Sequence, residues 1–191
     1  MDTMHGDHSQ TGPGALIDAL EAYLPGDERE ALMVARTQAF VAAADDLFSR
    51  RSFVPGHITG SAWIVDEERT HALLVHHRKL DRWLQPGGHA EAERDALAIA
   101  EREAREETGL QHLRPAQPGI YDVDVHVIPA RGDDPEHAHF DIRFAFIADR
   151  GEPLVVSEES HAVAWRPIAD LDRDGVDESV RRLARKTVRL P

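Results

Sequence analysis

Glu103, Glu106 and Glu107 stand in the run Arg102-Glu103-Ala104-Arg105-Glu106-Glu107. The small apolar residues around it, Ala96, Ala100 and Ala104, recur at helical spacing and predict a helix over 92–108 that Gly109 ends. Glu103 and Glu107 fall in the same stripe as those alanines, one turn apart, with Glu106 flanking them. Carboxylates gathered on a half-apolar face repel one another and lose hydration, so they need a cation to be tolerable. Hard oxygen ligands grouped in this way suit Mg²⁺ or Mn²⁺, which keep waters and bridge to phosphate oxygens. The competing reading is a solvated, salt-bridged helix face, the usual fate of a charge run.

The register of the longer segment favours the first reading. Gly87-Gly88, then the helix, then Arg102 to Leu110 resembles the Nudix box, whose pattern runs Gly, five residues, Glu, seven residues, Arg-Glu-apolar-x-Glu-Glu-x-Gly-apolar. Counted from Gly88, the residues Arg102, Glu103, Glu106, Glu107, Gly109 and Leu110 are in register. One position departs: Arg94 stands where the pattern has its first Glu, with Glu91 and Glu93 close by. That puts the bracing of the box in question more than its metal ligands, and Glu91 or Glu93 could substitute by swinging toward Arg102. The resemblance covers roughly residues 55–170. It implies Glu103 and Glu107 as principal metal ligands, Glu106 as their assistant, a Gly87 or Gly88 carbonyl completing the site, and Arg102 orienting the glutamates. It also implies a Mg²⁺- or Mn²⁺-dependent hydrolase, without a covalent nucleophile, that cleaves a pyrophosphate bond in a nucleoside-diphosphate-linked small molecule or nucleotide.

Other residues are candidates for the rest of the site. The resemblance implies a general base that is either a box glutamate or an acid on a distant loop; Glu158 and Glu159, between strand-like runs at 154–156 and 162–165, are the distal candidates, and an exposed acidic turn explains them as well. Arg78 and Lys79 end a strand that leads toward Gly87, where they could meet phosphate oxygens or simply be solvated. Trp83 could stack on a base or pack beneath the loop. His89 could touch phosphate or metal from just past the glycines, or be an exposed entry to the helix. His137, His139 and Asp141 are spaced two apart, so a strand that began early would put them on one face for metal or substrate. A wet strand edge is the alternative.

The elements that must position these residues follow from periodicity. Residues 1–13 read as a flexible tail. Residues 14–53 read as a helical hairpin: Leu16, Ile17, Leu20 and Leu24 are at helical spacing up to Pro25-Gly26, and Asp27 caps a second helix reaching about Ser49. Residues 54–191 form the hydrolase domain, with strands at 58–65, 71–76, 120–128, 140–148 and 162–165, a loop at 78–88, a polar loop at 129–138 and a closing helix at 176–185. The resemblance, together with this element order, implies an α/β fold of the Nudix type, a mixed β-sheet inside an α/β/α sandwich, with the N-terminal hairpin packed on the domain or on a second subunit of a homodimer.

Composition excludes several alternatives. The 191 residues suffice for one core, and the formal charge of −13 disfavours nucleic acid and anionic membrane as partners. That weighs against action on an RNA 5′ end and requires locally placed cations for a polyphosphate. With no cysteine there is no thiol nucleophile, no disulfide framework and no thiolate zinc site, and isomerisation of a prenyl diphosphate on a related fold, which in its usual version needs a reactive cysteine, is disfavoured. No apolar run is long enough to span a membrane and the N-terminus is polar, so the expected compartment is cytoplasmic. A catalytically silent ligand sensor on the same fold, suggested by Arg94, is the remaining alternative.

Overall fold

The computed structural model describes residues 12–172 and 176–191. The expected tail therefore lies outside the described residues except at its end, where Pro13 is already the first residue of α1 (Pro13–Ala22). Proline suits that position, because a first-turn N–H has no helical partner to lose. Helix α2 (Glu28–Ala43) is capped by Asp27, whose side chain accepts from the Glu30 amide at 2.8 Å. It stops before the expected Ser49. The chain leaves the helix at Ala44, and the Leu47 carbonyl accepts from the Ile58 amide at 2.7 Å, which lays Leu47 and Phe48 into the core.

One mixed sheet follows, built from β1 (Gly56–Val65), β2 (His71–His77), β3 (Arg82–Leu84), β4 (Gly87–His89), β5 (Arg114–Pro115), β6 (Asp122–Ile128), β7 (His137–Ile147) and β8 (Ser160–Pro167). Its order is β3-β2-β1-β7-β5, with β4 on β1, β6 on β7 and β8 on β2. Strands β1 and β7 run parallel over their length, with His57 opposite His139 and Ser61 opposite Arg143. The other pairings are antiparallel.

Alternation along β1 and β7 sends side chains to two layers. Ile58, Ala62, Ile64, Ile142 and Phe146 face the layer of α1, α2 and α3 (Ala96–Thr108), where Phe40 stacks on Phe140 at 4.1 Å between ring centroids. Trp63, Val65, Ala145 and Ile147 face α4 (Glu178–Lys186). This is the expected α/β/α sandwich with its N-terminal helix pair. Helix α3 lies unusually close to β1, because a Cβ at Gly60 would come within 2.5 Å of the Ala96 carbonyl oxygen. Among the described residues no helix is long and apolar enough to cross a membrane.

The α4 face of the sheet also holds a buried ionic cluster. Arg143 is 2% exposed and donates to Asp141 at 2.7 Å, Asp122 at 3.2 Å and Asp124 at 3.3 Å. Arg182 of α4 joins Asp122 at 2.7 Å. Asp141 accepts further bonds from the hydroxyls of Thr59 at 3.0 Å and Ser61 at 2.8 Å. Strand β7 does begin at His137, earlier than periodicity indicated, so His137, His139 and Asp141 do share a face. Asp141 spends its oxygens on Arg143 and the two hydroxyls.

Candidate active site

Helix α3 starts at Ala96, four residues later than its sequence pattern suggests, because Asp95 caps it by accepting from the Leu97 amide at 3.1 Å. Gly109 ends it in the left-handed region at φ 81°. Between these stops Ile99, Ala100 and Ala104 are fully buried and turn one edge of the helix toward β4. There the Gly87 amide donates to a Glu107 carboxylate oxygen at 3.2 Å. At Gly88 a Cβ would lie 2.3 Å from a Glu103 carboxylate oxygen, so a side chain there would push that carboxylate out of its place.

Burial raises both carboxyls. Glu107, 7% exposed, is pushed up to about 8 by burial and then by the charge of Glu103, with Glu159 and Glu106 adding, against the stabilising Gly87 amide. Glu103 is also raised, by burial first, although the Arg102 guanidinium 3.1 Å away opposes it. Arg102 holds the cluster in place: it donates to Glu106 at 2.7 Å, to the His89 carbonyl at 2.6 Å and to Glu93 at 2.5 Å. Although burial works against it, the Glu93 carboxyl is held down at about 2 by backbone amides, Glu91 and Ala92 among them, and by Arg102.

These groups border a cleft of about 900 Å³. Glu103, Glu106, Glu107, Glu159, Gly87, Gly88, His89, Lys79 and His139 all line it, so the fold brings together most residues the sequence singled out. His89 and His139 meet through their Nε2 atoms at 3.1 Å, and burial lowers both rings, His89 to about 4 and His139 to about 2, with neighbouring histidines adding to it.

Two candidates are placed elsewhere. Arg78 spends its guanidinium on the carbonyls of Glu158, at 3.1 Å, and Ser160, at 2.8 Å. It therefore clamps the turn that carries Glu159 rather than facing phosphate. Trp83 lies on the opposite side of the sheet, because the alternation that turns Val75 and His77 to the cleft turns His76 away, and Trp83 stacks on His76 at 5.0 Å with Arg166 over its ring. Packing, not base stacking, accounts for it. The cleft also gathers two cations that sequence reasoning passed over, Arg50 and Arg51 from the turn after α2, and with them Arg94.

A family model described as NUDIX domain matches residues 56–187. The chain belongs to the NUDIX family. The enzyme class implied by the Nudix box, a pyrophosphohydrolase, goes with that membership. At the box position that departs from the pattern, Arg94 stands in place of the first Glu, and its neighbour Glu93 makes the contact to Arg102, accepting at 2.5 Å.

Glu93→Gln is expected to lower turnover about tenfold, as loss of an outer partner of a ligand set does, while Glu91→Gln stays near wild type. Steady-state kinetics on both variants check this, and equal effects would show that Glu93 is not the brace.

No curated protein matches the chain. Solved structures resemble it in fold. An Ap4A hydrolase of C. elegans aligns at TM-score 0.56 and 17% identity over 69% of this chain and 95% of its own. The dihydroneopterin triphosphate pyrophosphohydrolase of E. coli aligns at TM-score 0.54 and 15% identity, covering 74% and 97%. The NUDIX domain of Shewanella oneidensis NrtR, in complex with ADP ribose, aligns at TM-score 0.51 and 14% identity, covering 79% and 96%.

Proposed function

We propose that this protein is a Mg²⁺- or Mn²⁺-dependent hydrolase that cleaves a pyrophosphate bond in a nucleoside-diphosphate-linked small molecule or nucleotide. The observation that carries the reading is the pair Glu103 and Glu107, one half-buried and one buried carboxyl, both raised first by burial and Glu107 further by the charge of Glu103, set against the glycines of β4 in an open cleft. Such a pair is unfavourable by itself and becomes favourable around a divalent cation. Glu103 and Glu107, with Glu106 and a Gly87 or Gly88 carbonyl, would hold it. When bound, the ion supplies Lewis-acid polarisation of a phosphoryl oxygen.

The remaining steps belong to the chain. Lys79, Arg50, Arg51 and Arg94 bring positive charge to phosphate oxygens inside a strongly acidic protein. Glu159, held at the rim by the Arg78 clamp, is placed to take a proton from the attacking water. Arg102 fixes Glu103 and Glu106, so the carboxylates need little reorganisation. The structural relatives that act on Ap4A and dihydroneopterin triphosphate, and the one bound to ADP ribose, support a nucleotide-like substrate class.

The test is phosphate release, coupled to a phosphatase, across nucleoside diphosphate derivatives, dinucleoside polyphosphates and nucleoside triphosphates with Mg²⁺ or Mn²⁺. Metal-dependent turnover of any member supports the reading and begins to name the substrate. Binding without turnover would instead make the protein a ligand sensor.

A further inference from the structure

A second cluster of side chains, distinct from the carboxylates, lies where β1, β4 and β7 meet. His57 and His139 are direct partners across the parallel β1/β7 pairing, and His137 precedes His139 by two residues on the same face. One nitrogen from each of His57, His137 and His139 can be chosen so that all three lie within 4.8 Å of one another. His89 is the next ring, 5.0 Å from His57 between centroids and with its Nε2 3.1 Å from that of His139.

The hydrogen bonds around the cluster fix where its lone pairs are. His57 Nδ1 meets the Ser52 carbonyl at 3.1 Å, and His137 Nδ1 meets the Pro135 carbonyl at 2.8 Å. A carbonyl only accepts, so in each ring Nδ1 carries the hydrogen and Nε2 carries a free pair. His57 is completely enclosed, and its Nε2 has no hydrogen-bond partner. A buried acceptor without a donor is unfavourable, and a cation that takes up its lone pair removes that cost. A ligating histidine commonly donates its other ring N–H to a backbone carbonyl, which is the arrangement of His57 and His137.

We infer that His57, His137 and His139 form a binding site for a borderline transition-metal ion of the zinc class, with His89 as the nearest fourth donor. An all-imidazole set selects such ions over Mg²⁺, which prefers the oxygen ligands of the carboxylate cluster. The two sites therefore sort different metals. The ion joins the ends of β1 and β7 and, through His89, anchors the strand that carries Gly87 and Gly88. It acts as a positioning element for those glycines of β4 and takes no part in the hydrolytic chemistry.

The probe is Co²⁺ added to tag-free, metal-stripped, full-length protein in a large excess of Mg²⁺, read by visible ligand-field absorption and by elemental stoichiometry. The expected result is one Co²⁺ per chain, displaced by Zn²⁺ and unchanged in Glu107→Gln. In His137→Ala and His139→Gln, affinity falls at least about tenfold. Thermal unfolding gives an independent reading: Zn²⁺ raises the midpoint of the wild type and not of a histidine variant. If His137→Ala does not fold, His139→Gln and the wild-type stoichiometry decide. No stoichiometric uptake by the wild type overturns the site, as does uptake unaltered by loss of a histidine or abolished by Glu107→Gln. None of these readouts uses turnover, so this site and the hydrolase reading can fail separately.

Discussion

Glu107→Gln is expected to reduce metal-dependent turnover by about a hundred- to a thousandfold, the loss typical of removing one preorganised charge-stabilising group. The same substitution should stabilise the metal-free protein at alkaline pH. Glu107 is held up to about 8 in the folded chain against the ordinary glutamate value of 4.5. Between those values the folded state binds the extra proton, so this group's contribution to stability falls as pH rises through the window. Gln cannot ionise and keeps an oxygen for the Gly87 amide, so the dependence disappears. Thermal unfolding in a chelator near pH 5 and near pH 8 checks the sign: the wild type should lose more of its midpoint than the variant on going alkaline. Mg²⁺ should restore the wild type alone. A variant with wild-type turnover, or one whose midpoint follows the wild type with pH, would contradict the role given to Glu107.

The second large effect is on stability. Arg143→Leu removes the guanidinium that, among the described residues, alone touches all of Asp122, Asp124 and Asp141, and leaves those carboxylates buried. Breaking a buried ionic group in this way destabilises by about 3–5 kcal/mol. Urea unfolding at neutral pH should show a loss of that order, with Arg143→Lys retaining part of it. A loss below about 1 kcal/mol would mean that solvent or Arg182 compensates the acids, as at an exposed pair. The cluster also predicts acid sensitivity. Although burial opposes it, Arg143, then Arg182 and Lys186, hold the Asp122 carboxyl down at about 2. Its contribution is therefore present above the ordinary aspartate range and is lost as pH falls toward 2. The cluster supports the cleft as well, since Asp141 holds Ser61, which pairs with Gly87.

Much of this could be read in the chain because local periodicity carried it. The helical spacing of Ala96, Ala100 and Ala104 placed Glu103 and Glu107 on one side of a single helix, and the Nudix box placed the glycine turn opposite them. What local pattern could not carry was long-range pairing. His57 meets His139 only because β1 runs parallel to β7, a register that no short window contains. The early start of β7 was hidden because its first inward residues are histidines rather than apolar ones. Strands β3 and β4 have three residues each, too few for a period, so the face of Trp83 was open until β3 paired with β2. Glu93 sits one residue before the box position that Arg94 holds, so the pattern by itself left open whether Glu91 or Glu93 reaches Arg102. Arg50 and Arg51 enter the cleft through the packing of the N-terminal helices, outside the box altogether.

The most direct test of the central claim is turnover of the best substrate in heavy-oxygen water, followed by mass spectrometry of the phosphate-containing products. Hydrolysis of a pyrophosphate bond at the carboxylate cluster predicts the label on a phosphoryl product with Mg²⁺ or Mn²⁺, and none with a chelator or in Glu107→Gln. Products that carry no label, or labelling that persists without metal and in the variant, would contradict it.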